Sequence, residues 1–365
     1  MEAERAGLYL HVPFCRSKCA YCDFVSYAGQ ADKIARYVEA LLAEMDRRPC
    51  AGTVTSVFFG GGTPSLLPPA ALARLLAGLR QRYALAPDCE ISAEVNPGTV
   101  TAEWLAAAAE GGVNRLSVGI QAVQPALLTR IGRIHDFAQA QETFALARAA
   151  GIANLSADLM YALPGQTLAD WEESLRAVLT LSPRHCSCYA LTVAEGTPFG
   201  DLDARGRLPR PSEDEELAMQ ASAIRILGQA GLARYEVSNY AQPGFACRHN
   251  LGYWTREDYI GLGCAAHSLE GNLRRANPSD LAAYLAGAPF AVEERLTPED
   301  EDFEALMLGL RLVDGVELSA RAFARFQAGI ERFRAQGLLE GAGRRVRLTP
   351  RGMDVMNAIL EEFLP

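Results

Sequence analysis

Near its amino terminus the chain runs His11-Val12-Pro13-Phe14-Cys15-Arg16-Ser17-Lys18-Cys19-Ala20-Tyr21-Cys22-Asp23-Phe24, directly after the strand-like run Gly7-Leu8-Tyr9-Leu10. The gaps of three and two residues between the cysteines allow one tight loop to bring three thiolates onto one inorganic core. Such a set suits an iron–sulfur cluster in which one iron has no protein ligand and is free to react. A structural zinc site takes four ligands, one more than the three cysteines of this loop provide. Three ordinary buried thiols, the remaining alternative, need no fixed spacing.

Length, composition and charge describe an ordinary globular protein. The 365 residues, 49% apolar and 22% charged, suffice for about two or three domains with a large core. Nine cysteines and no signal segment at the amino terminus predict a reducing cytoplasm in which thiols bind metals. We therefore expect a cytoplasmic protein, with peripheral contact at the inner face of the membrane left open. The net charge of −9 argues against nucleic acid as a partner.

The first half of the chain alternates short apolar runs with helical patterns. Between residues 32 and 48, for example, Ile34, Val38, Leu41 and Met45 recur at helical spacing. This alternation predicts a parallel sheet covered by helices, that is, an α/β fold. The predicted strands are Leu8–Val12, Val57–Phe59, Ile91–Val95, Leu116–Ile120, Leu155–Met160 and Ser187–Leu191.

Residues unusual for plain packing stand at or near the carboxyl ends of these predicted strands. The glycines 60–62 would allow backbone N–H groups to approach a ligand closely. Polar side chains in apolar strands are costly unless they are paired, so their recurrence strand after strand predicts a binding site. The residues concerned are Gly61, Gly62, Thr63, Glu94, Gln121 and Asp158, and the sixth strand ends at Tyr189-Ala190-Leu191.

The cysteine spacing resembles the CxxxCxxC motif of the radical S-adenosylmethionine (SAM) superfamily, with Tyr21 as the aromatic residue before the last cysteine. The resemblance implies an open partial (β/α)6 barrel, TIM-like, with chemistry at the carboxyl ends of its strands. It also implies a [4Fe-4S] cluster on Cys15, Cys19 and Cys22, and SAM bound through its amino and carboxylate groups to the fourth iron. An electron, supplied by a reductant protein such as flavodoxin or ferredoxin, would then release a 5′-deoxyadenosyl radical from SAM.

Within that superfamily, these segments resemble the oxygen-independent coproporphyrinogen-III-oxidase group. The group's oxidases hold two SAM molecules, and Tyr9, Gly61 and Glu94 are expected around the one bound to the cluster. Carboxylates suit the ammonium and ribose hydroxyls of SAM, and Arg133 suits its carboxylate, although Arg133 could instead be a solvated residue at a helix start. The SAM contacts implied by the resemblance are Tyr9, Tyr21, Gly61, Gly62, Thr63, Glu94, Gln121, Arg133, Asp158 and Ala190.

The sequence predicts three domains: the barrel over residues 1–200, an α+β extension over 201–296 and a winged-helix-like helical domain over 297–365. In the extension we expect a helix over 213–231 and a strand over 234–238. Winged helices often bind DNA, but nine basic against twelve acidic residues in 297–365 oppose phosphate binding. A docking or lid role is the alternative.

Two departures from the oxidases bear on function. The oxidases carry a further cysteine where this chain has Phe24, and a long amino-terminal segment where only fourteen residues precede Cys15. The segment His249-Asn250-Leu251-Gly252-Tyr253-Trp254 resembles instead the HNxxYW signature of haem chaperones in the same family. A neutral imidazole is a common axial ligand of haem iron, so His249 is the candidate haem ligand, with Cys247 as a second option.

The sequence thus predicts a haem chaperone that receives haem as cargo and passes it to an apo-haemoprotein such as a membrane respiratory enzyme. The alternative is coproporphyrinogen-III oxidase or a related radical-SAM porphyrin decarboxylase. A DNA-binding regulator with an iron–sulfur sensor is a third class, which the acidic carboxyl-terminal region disfavours.

Overall fold

A computed structural model describes residues 5–364 of the chain. The strands are β1 (Arg5–Val12), β2 (Phe14–Cys15), β3 (Tyr27–Ala28), β4 (Thr53–Gly61), β5 (Leu85–Val95), β6 (Arg115–Gln121), β7 (Asn154–Tyr161), β8 (His185–Ala190), β9 (Ala233–Arg234), β10 (Asn239–Ala241), β11 (Asp258–Leu262), β12 (His267–Glu270), β13 (Leu273–Ala276), β14 (Val292–Arg295), β15 (Val316–Glu317), β16 (Leu339–Glu340) and β17 (Arg345–Leu348).

The helices cover the intervals between most of these strands. They are α1 (Ile34–Arg47), α2 (Pro69–Arg82), α3 (Ala102–Glu110), α4 (Pro125–Arg130), α5 (Phe137–Ala149), α6 (Leu168–Leu179), α7 (Pro198–Asp203), α8 (Glu213–Gln229), α9 (Arg248–Trp254), α10 (Leu281–Leu285), α11 (Pro298–Gly309), α12 (Ala320–Ala335), α13 (Pro350–Asp354) and α14 (Met356–Glu361). Between residues 5 and 364, no helix combines the length and the apolar character needed to cross a membrane.

The six strands predicted from the sequence form the centre of one large sheet. The strands β1, β4, β5, β6, β7 and β8 pair in that order, and every pair is parallel. Side chains of all six strands line one cavity, so the sheet curves around it as an open barrel. The predicted α/β fold with a partial (β/α)6 barrel is confirmed.

Apolar residues on the strands and on one face of each covering helix form the main core. In α1 the buried residues include Ile34, Val38, Leu41 and Met45, the four that the helical spacing singled out. The helix begins at Ile34, after a short 3-10 turn over Ala31–Lys33. Because the outer faces of the strands meet these helices, the inner faces remain available to the cavity.

The segment after the barrel extends the same sheet at both edges. The strand β11 pairs in parallel with β1, and β12, β13 and β14 follow it in antiparallel order. At the other edge β10 pairs with β8, and β9 with β10. The predicted strand over 234–238 is wrong, because the chain turns back there: the Glu236 carboxylate accepts a hydrogen bond from the Ser238 N–H at 3.0 Å, between β9 and β10.

The carboxyl-terminal region has a core of its own. Leucine, phenylalanine and isoleucine side chains of α11, α12 and α14 pack with the three-stranded sheet β15-β17-β16. A capping box between Thr297 and Asp300 begins α11. The helix α12 followed by the β16–β17 hairpin gives the winged-helix-like arrangement expected from the sequence.

Candidate functional site

One cavity of about 620 Å³ collects the residues singled out from the sequence. Its volume lies within the range typical of ligand-binding pockets. The cavity lies inside the curve of the sheet and is lined, among others, by Tyr9, Cys15, Cys19, Tyr21, Cys22, Gly61, Gly62, Thr63, Glu94, Gln121, Arg133, Asp158, Ala190 and His249. The structure therefore brings all fourteen candidate site residues together.

The cysteine loop lies at the carboxyl end of β1, with all three thiols half-buried and unpaired. Backbone hydrogen bonds hold the loop at Ala20, whose N–H donates to Ile131 O at 3.1 Å and whose carbonyl accepts from Phe199 N at 2.9 Å. Burial raises the pKa of the Cys22 thiol, and the neighbouring Cys19 and Cys15 raise it further. A cationic metal centre would bind these three neighbouring sulfurs as thiolates and offset the repulsion between their negative charges.

The glycine segment after β4 packs directly against the cysteine loop. A Cβ atom on Gly62 would come within 2.7 Å of the carbonyl oxygens of Phe14 and Val12, so only glycine fits this contact. The backbone N–H groups of this segment already have acceptors within the protein. The N–H groups of Gly61, Gly62 and Thr63 donate to Glu94 Oε2, Val12 O and Phe14 O, respectively.

Two carboxylates face the middle of the cavity. Glu94 accepts the Gly61 N–H at 3.2 Å, and burial together with the charge of Asp158 raises its pKa to about 7. Asp158 accepts the hydroxyls of Ser117 and Ser156, each at 2.8 Å. Among the described residues no basic side chain forms an ion pair with either carboxylate, so the centre of the cavity favours a positively charged ligand.

Arg133 points into the cavity beside the cysteine loop. Its Nη1 donates to Asn96 Oδ1 at 2.6 Å and its Nη2 donates to the Tyr21 hydroxyl at 2.9 Å. The alternative of a solvated residue at a helix start is therefore wrong. Its Nε is buried and has no hydrogen-bond partner among residues 5–364, which leaves one donor for a ligand. Gln121 ends β6 with φ of +68°, a strained conformation that turns the chain at this edge.

His249 closes the opposite part of the cavity. It is 3% exposed, and its ring lies stacked at 5.2 Å from Phe58 and 6.3 Å from Tyr9, measured between ring centroids. Nδ1 lies 3.0 Å from Ser56 Oγ and Nε2 lies 2.9 Å from the Tyr253 hydroxyl, so both ring nitrogens are hydrogen-bonded. Burial, and then the charge of Arg115, lowers the pKa of His249 to about 3 and keeps the ring neutral.

Cys247 does not share this position. Its side chain is fully buried and lies behind the cavity wall, with Sγ 3.5 Å from Glu90 Oε1. The Glu90 carboxylate also accepts the backbone N–H of Arg248 and thereby caps the first turn of α9. Cys247 is therefore not presented to a ligand in the cavity.

Comparison with known proteins identifies the family. The sequence profile of the Radical SAM superfamily matches residues 9–178, and that of the HemN C-terminal domain matches residues 296–355. A Mycobacterium tuberculosis protein named heme chaperone HemW is 38% identical over 100% of this chain and 96% of its own length. The chain belongs to the HemW family. The Escherichia coli HemW is 35% identical, over 98% of each chain.

A solved structure agrees on the fold of this HemW-family chain. Coproporphyrinogen III oxidase (HemN) from Escherichia coli, a radical SAM enzyme, superposes with a TM-score of 0.85 over 99% of this chain and 90% of the oxidase chain. The sequence identity is 24%, so this likeness concerns the architecture alone.

Membership of the radical SAM superfamily implies a [4Fe-4S] cluster and SAM, and the residues present fit both. The cysteine loop offers three sulfurs that lack a partner charge. Beside it lie a carboxylate with a raised pKa, Glu94, and an arginine with an unused buried Nε, Arg133. These groups suit the cationic and the anionic parts of an amino-acid sulfonium ligand, respectively.

Sequence reasoning missed several residues that line the HemW-family cavity. Phe58 stacks on His249, and Asn96 holds Arg133. Arg115 and Ser117 stand on the inner face of β6, four and two residues before Gly119, respectively. A signal was present in the run Arg115–Gln121, because a charged residue opens a strand that is otherwise buried.

Proposed function

We propose that this chain is a radical-SAM haem chaperone, which binds haem and delivers it to an apo-haemoprotein. The observation that carries the proposal is the similarity to proteins named heme chaperone HemW over nearly the whole chain. Phe24 agrees with it, because the oxidases have a cysteine where this chain places a 62% exposed aromatic ring at the cavity. We further propose membrane respiratory enzymes as recipients, which the chaperone reaches from the cytoplasm at the inner face of the membrane.

His249 is the proposed axial ligand of the haem iron. The Tyr253 hydroxyl occupies its Nε2, and Ser56 holds Nδ1. A hydroxyl donated by Tyr253 would leave the proton on Nδ1 and the lone pair on Nε2. Withdrawal of Tyr253 then presents a neutral nitrogen to iron without any change in protonation, because the low pKa keeps the ring uncharged.

The cluster and SAM would be held at the other side of the same cavity. Bound there, they supply reductive cleavage of SAM, for which flavodoxin or ferredoxin is the proposed electron donor. Cys15, Cys19 and Cys22 would bind the cluster. Glu94 and Asp158 would neutralise the positive charges of SAM, Arg133 would bind a carboxylate, and the remaining predicted contacts would enclose the nucleoside: Tyr9, Tyr21, Gly61, Gly62, Thr63, Gln121 and Ala190.

A pair of variants at one hydrogen bond tests the haem ligand. His249→Ala removes the imidazole and is expected to weaken haem binding and change the haem absorbance spectrum. Tyr253→Phe keeps the ring but removes the hydroxyl that competes for Nε2. It is expected to retain the spectrum and to bind haem as tightly or more tightly. Equal weakening in both variants would show that the pair supports the wall and does not ligate iron.

Two activity measurements separate the chaperone from the oxidase. The haem-loaded protein should transfer haem to an apo-haemoprotein, followed by the absorbance of the acceptor. Anaerobic incubation with coproporphyrinogen III, SAM and a reductant should yield no protoporphyrinogen. Robust product formation without haem transfer would overturn the proposed function.

A further inference from the structure

Arg115 is a buried cation on the cavity wall that the proposed roles leave unused. It begins β6 and is 1% exposed, yet it lines the same cavity as Ser117, Gly119 and Gln121 of that strand. Alternate residues of a strand face the same side of the sheet, which explains why these four residues share the cavity. Six residues at about 3.3 Å each separate Arg115 from Gln121, so Arg115 lies about 20 Å along the strand from the edge that carries the cysteine loop.

The guanidinium of Arg115 lacks acceptors. Its Nε and Nη1 are buried and have no hydrogen-bond partner within residues 5–364, which leaves three N–H groups unsatisfied. Arg133, by comparison, uses both Nη atoms within the protein. An unpaired buried charge is strongly unfavourable, so a group of this kind is expected to meet an acceptor when the site is filled.

The nearby carboxylates form hydrogen bonds with other groups, and within residues 5–364 neither accepts one from Arg115. Glu90 accepts backbone N–H groups at the start of α9 together with the Cys247 thiol. Asp158 accepts the hydroxyls of Ser117 and Ser156. These charges lie close enough to stabilise the guanidinium electrostatically, but its forked donors remain available.

We propose that Arg115 forms a carboxylate-binding subsite in the part of the cavity remote from the cysteine loop. A planar fork of N–H donors in a desolvated wall suits a planar two-oxygen acceptor, and the carboxylate is the only anionic group of this kind on haem and SAM. Haem carries that group in its propionates, and a second SAM molecule would carry it at its amino-acid end, because Arg133 is the proposed partner of the carboxylate of the SAM at the cysteine loop. If haem supplies the carboxylate, the inference rests on the proposed function. If SAM supplies it, the inference does not depend on that function.

The test compares two acids, haem and SAM, each with a counterpart in which the carboxylate is esterified or absent. Equilibrium affinities of the cluster-loaded protein are measured for haem and haem dimethyl ester by absorbance, and for SAM and decarboxylated SAM by calorimetry. Arg115→Gln is compared with the unsubstituted protein and with Arg48→Gln. Arg48 is a matched control because it is also buried, but pairs with Glu270 and Ser268 outside the cavity.

We expect Arg115→Gln to weaken one acid by on the order of 10- to 100-fold, the usual effect of losing charged hydrogen bonds. The matching counterpart should be unaffected, and the acid that responds identifies the source of the carboxylate. Arg48→Gln should change none of the four affinities. Equal weakening of an acid and its counterpart, or no change in any ligand, would overturn the subsite and leave Arg115 as a structural charge.

Two further outcomes keep the proposals separate. If the unsubstituted protein binds neither haem nor its ester, the proposed function fails, and the SAM pair alone decides the role of Arg115. If circular dichroism shows that Arg115→Gln does not fold, Arg115→Lys replaces it. The lysine keeps the charge but loses the planar fork. It should weaken the acid about tenfold and spare the counterpart, and equal effects on both would again overturn the subsite.

Discussion

Replacing Glu94 by Gln should make this protein more stable while weakening its proposed SAM site. The Glu94 carboxyl has its pKa raised from 4.5 to about 7, first by burial and then by the charge of Asp158. Gln keeps the shape and an oxygen that can accept the Gly61 N–H, but it carries no charge. The substitution therefore removes the unfavourable ionised form and little else.

The magnitude follows from the difference in pKa between the native and unfolded states. A rise from 4.5 to about 7 corresponds to about 3 kcal/mol against the ionised form at pH 8. Because the half-buried carboxylate faces the cavity, solvent screening reduces this value, and we expect Glu94→Gln to stabilise the fold by about 1–3 kcal/mol.

The sign of the pH dependence is fixed by the same shift. Native Glu94 takes up its proton at a higher pH than unfolded Glu94, so its contribution to stability is present below about pH 4.5 and is lost as the pH rises through 7. The advantage of Gln should therefore fall below about 1 kcal/mol near pH 5.

Urea unfolding of the cluster-free protein between pH 5 and 8 measures this difference. Glu195→Gln, at an exposed loop position, is the control and should leave the free energy of unfolding unchanged at every pH. SAM binding to the cluster-loaded Glu94→Gln protein should weaken at least about tenfold, since a charged partner is lost. A destabilised Glu94→Gln protein at pH 8, or a difference that does not vary with pH, would refute the reasoning.

Three further outcomes are expected. Cys19→Ser should abolish the iron–sulfur chromophore after anaerobic reconstitution, because the proposed cluster loses one of three protein ligands, and iron and sulfide analysis checks it. Gly62→Ala should fold but lower cluster and SAM occupancy, since its Cβ collides with the Val12 carbonyl, as visible absorbance would reveal. Asp302→Asn should cost about 1–2 kcal/mol in urea unfolding, because this buried carboxylate pairs with two partly exposed arginines of α12; an unchanged midpoint would contradict this.

The barrel was predictable because its strands and helices each follow from a short local sequence pattern. Each central strand is a short apolar run, and each is followed by a helix with a regular apolar face, as in α1. Parallel strands present their carboxyl ends at one edge, so polar residues such as Glu94, Gln121 and Asp158 had to converge there. Their exact partners were not predictable, because hydrogen bonds such as that from Gly61 to Glu94 join residues far apart in sequence.

The strand pairing outside the barrel and the partners of His249 depend on contacts that local sequence patterns do not predict. Nothing in residues 258–262 indicates pairing with β1, because that register is set by distant strands. The error over 234–238 has a local cause, since β-branched and aromatic residues predicted a strand where the Glu236 side chain stabilises a turn. His249 was found by its motif, but its two hydrogen-bond partners come from β4 and from the next turn of α9.

The parallel pairing of β1 with β11 has a consequence for biosynthesis. One side of β1 is covered early, by β4, whereas its other side is satisfied only by Asp258–Leu262, some 250 residues later in the chain. Until that segment has left the ribosome, the nascent protein carries an open strand edge beside the cysteine loop. The barrel wall is therefore completed late in translation, and truncation before residue 258 should yield an aggregation-prone fragment.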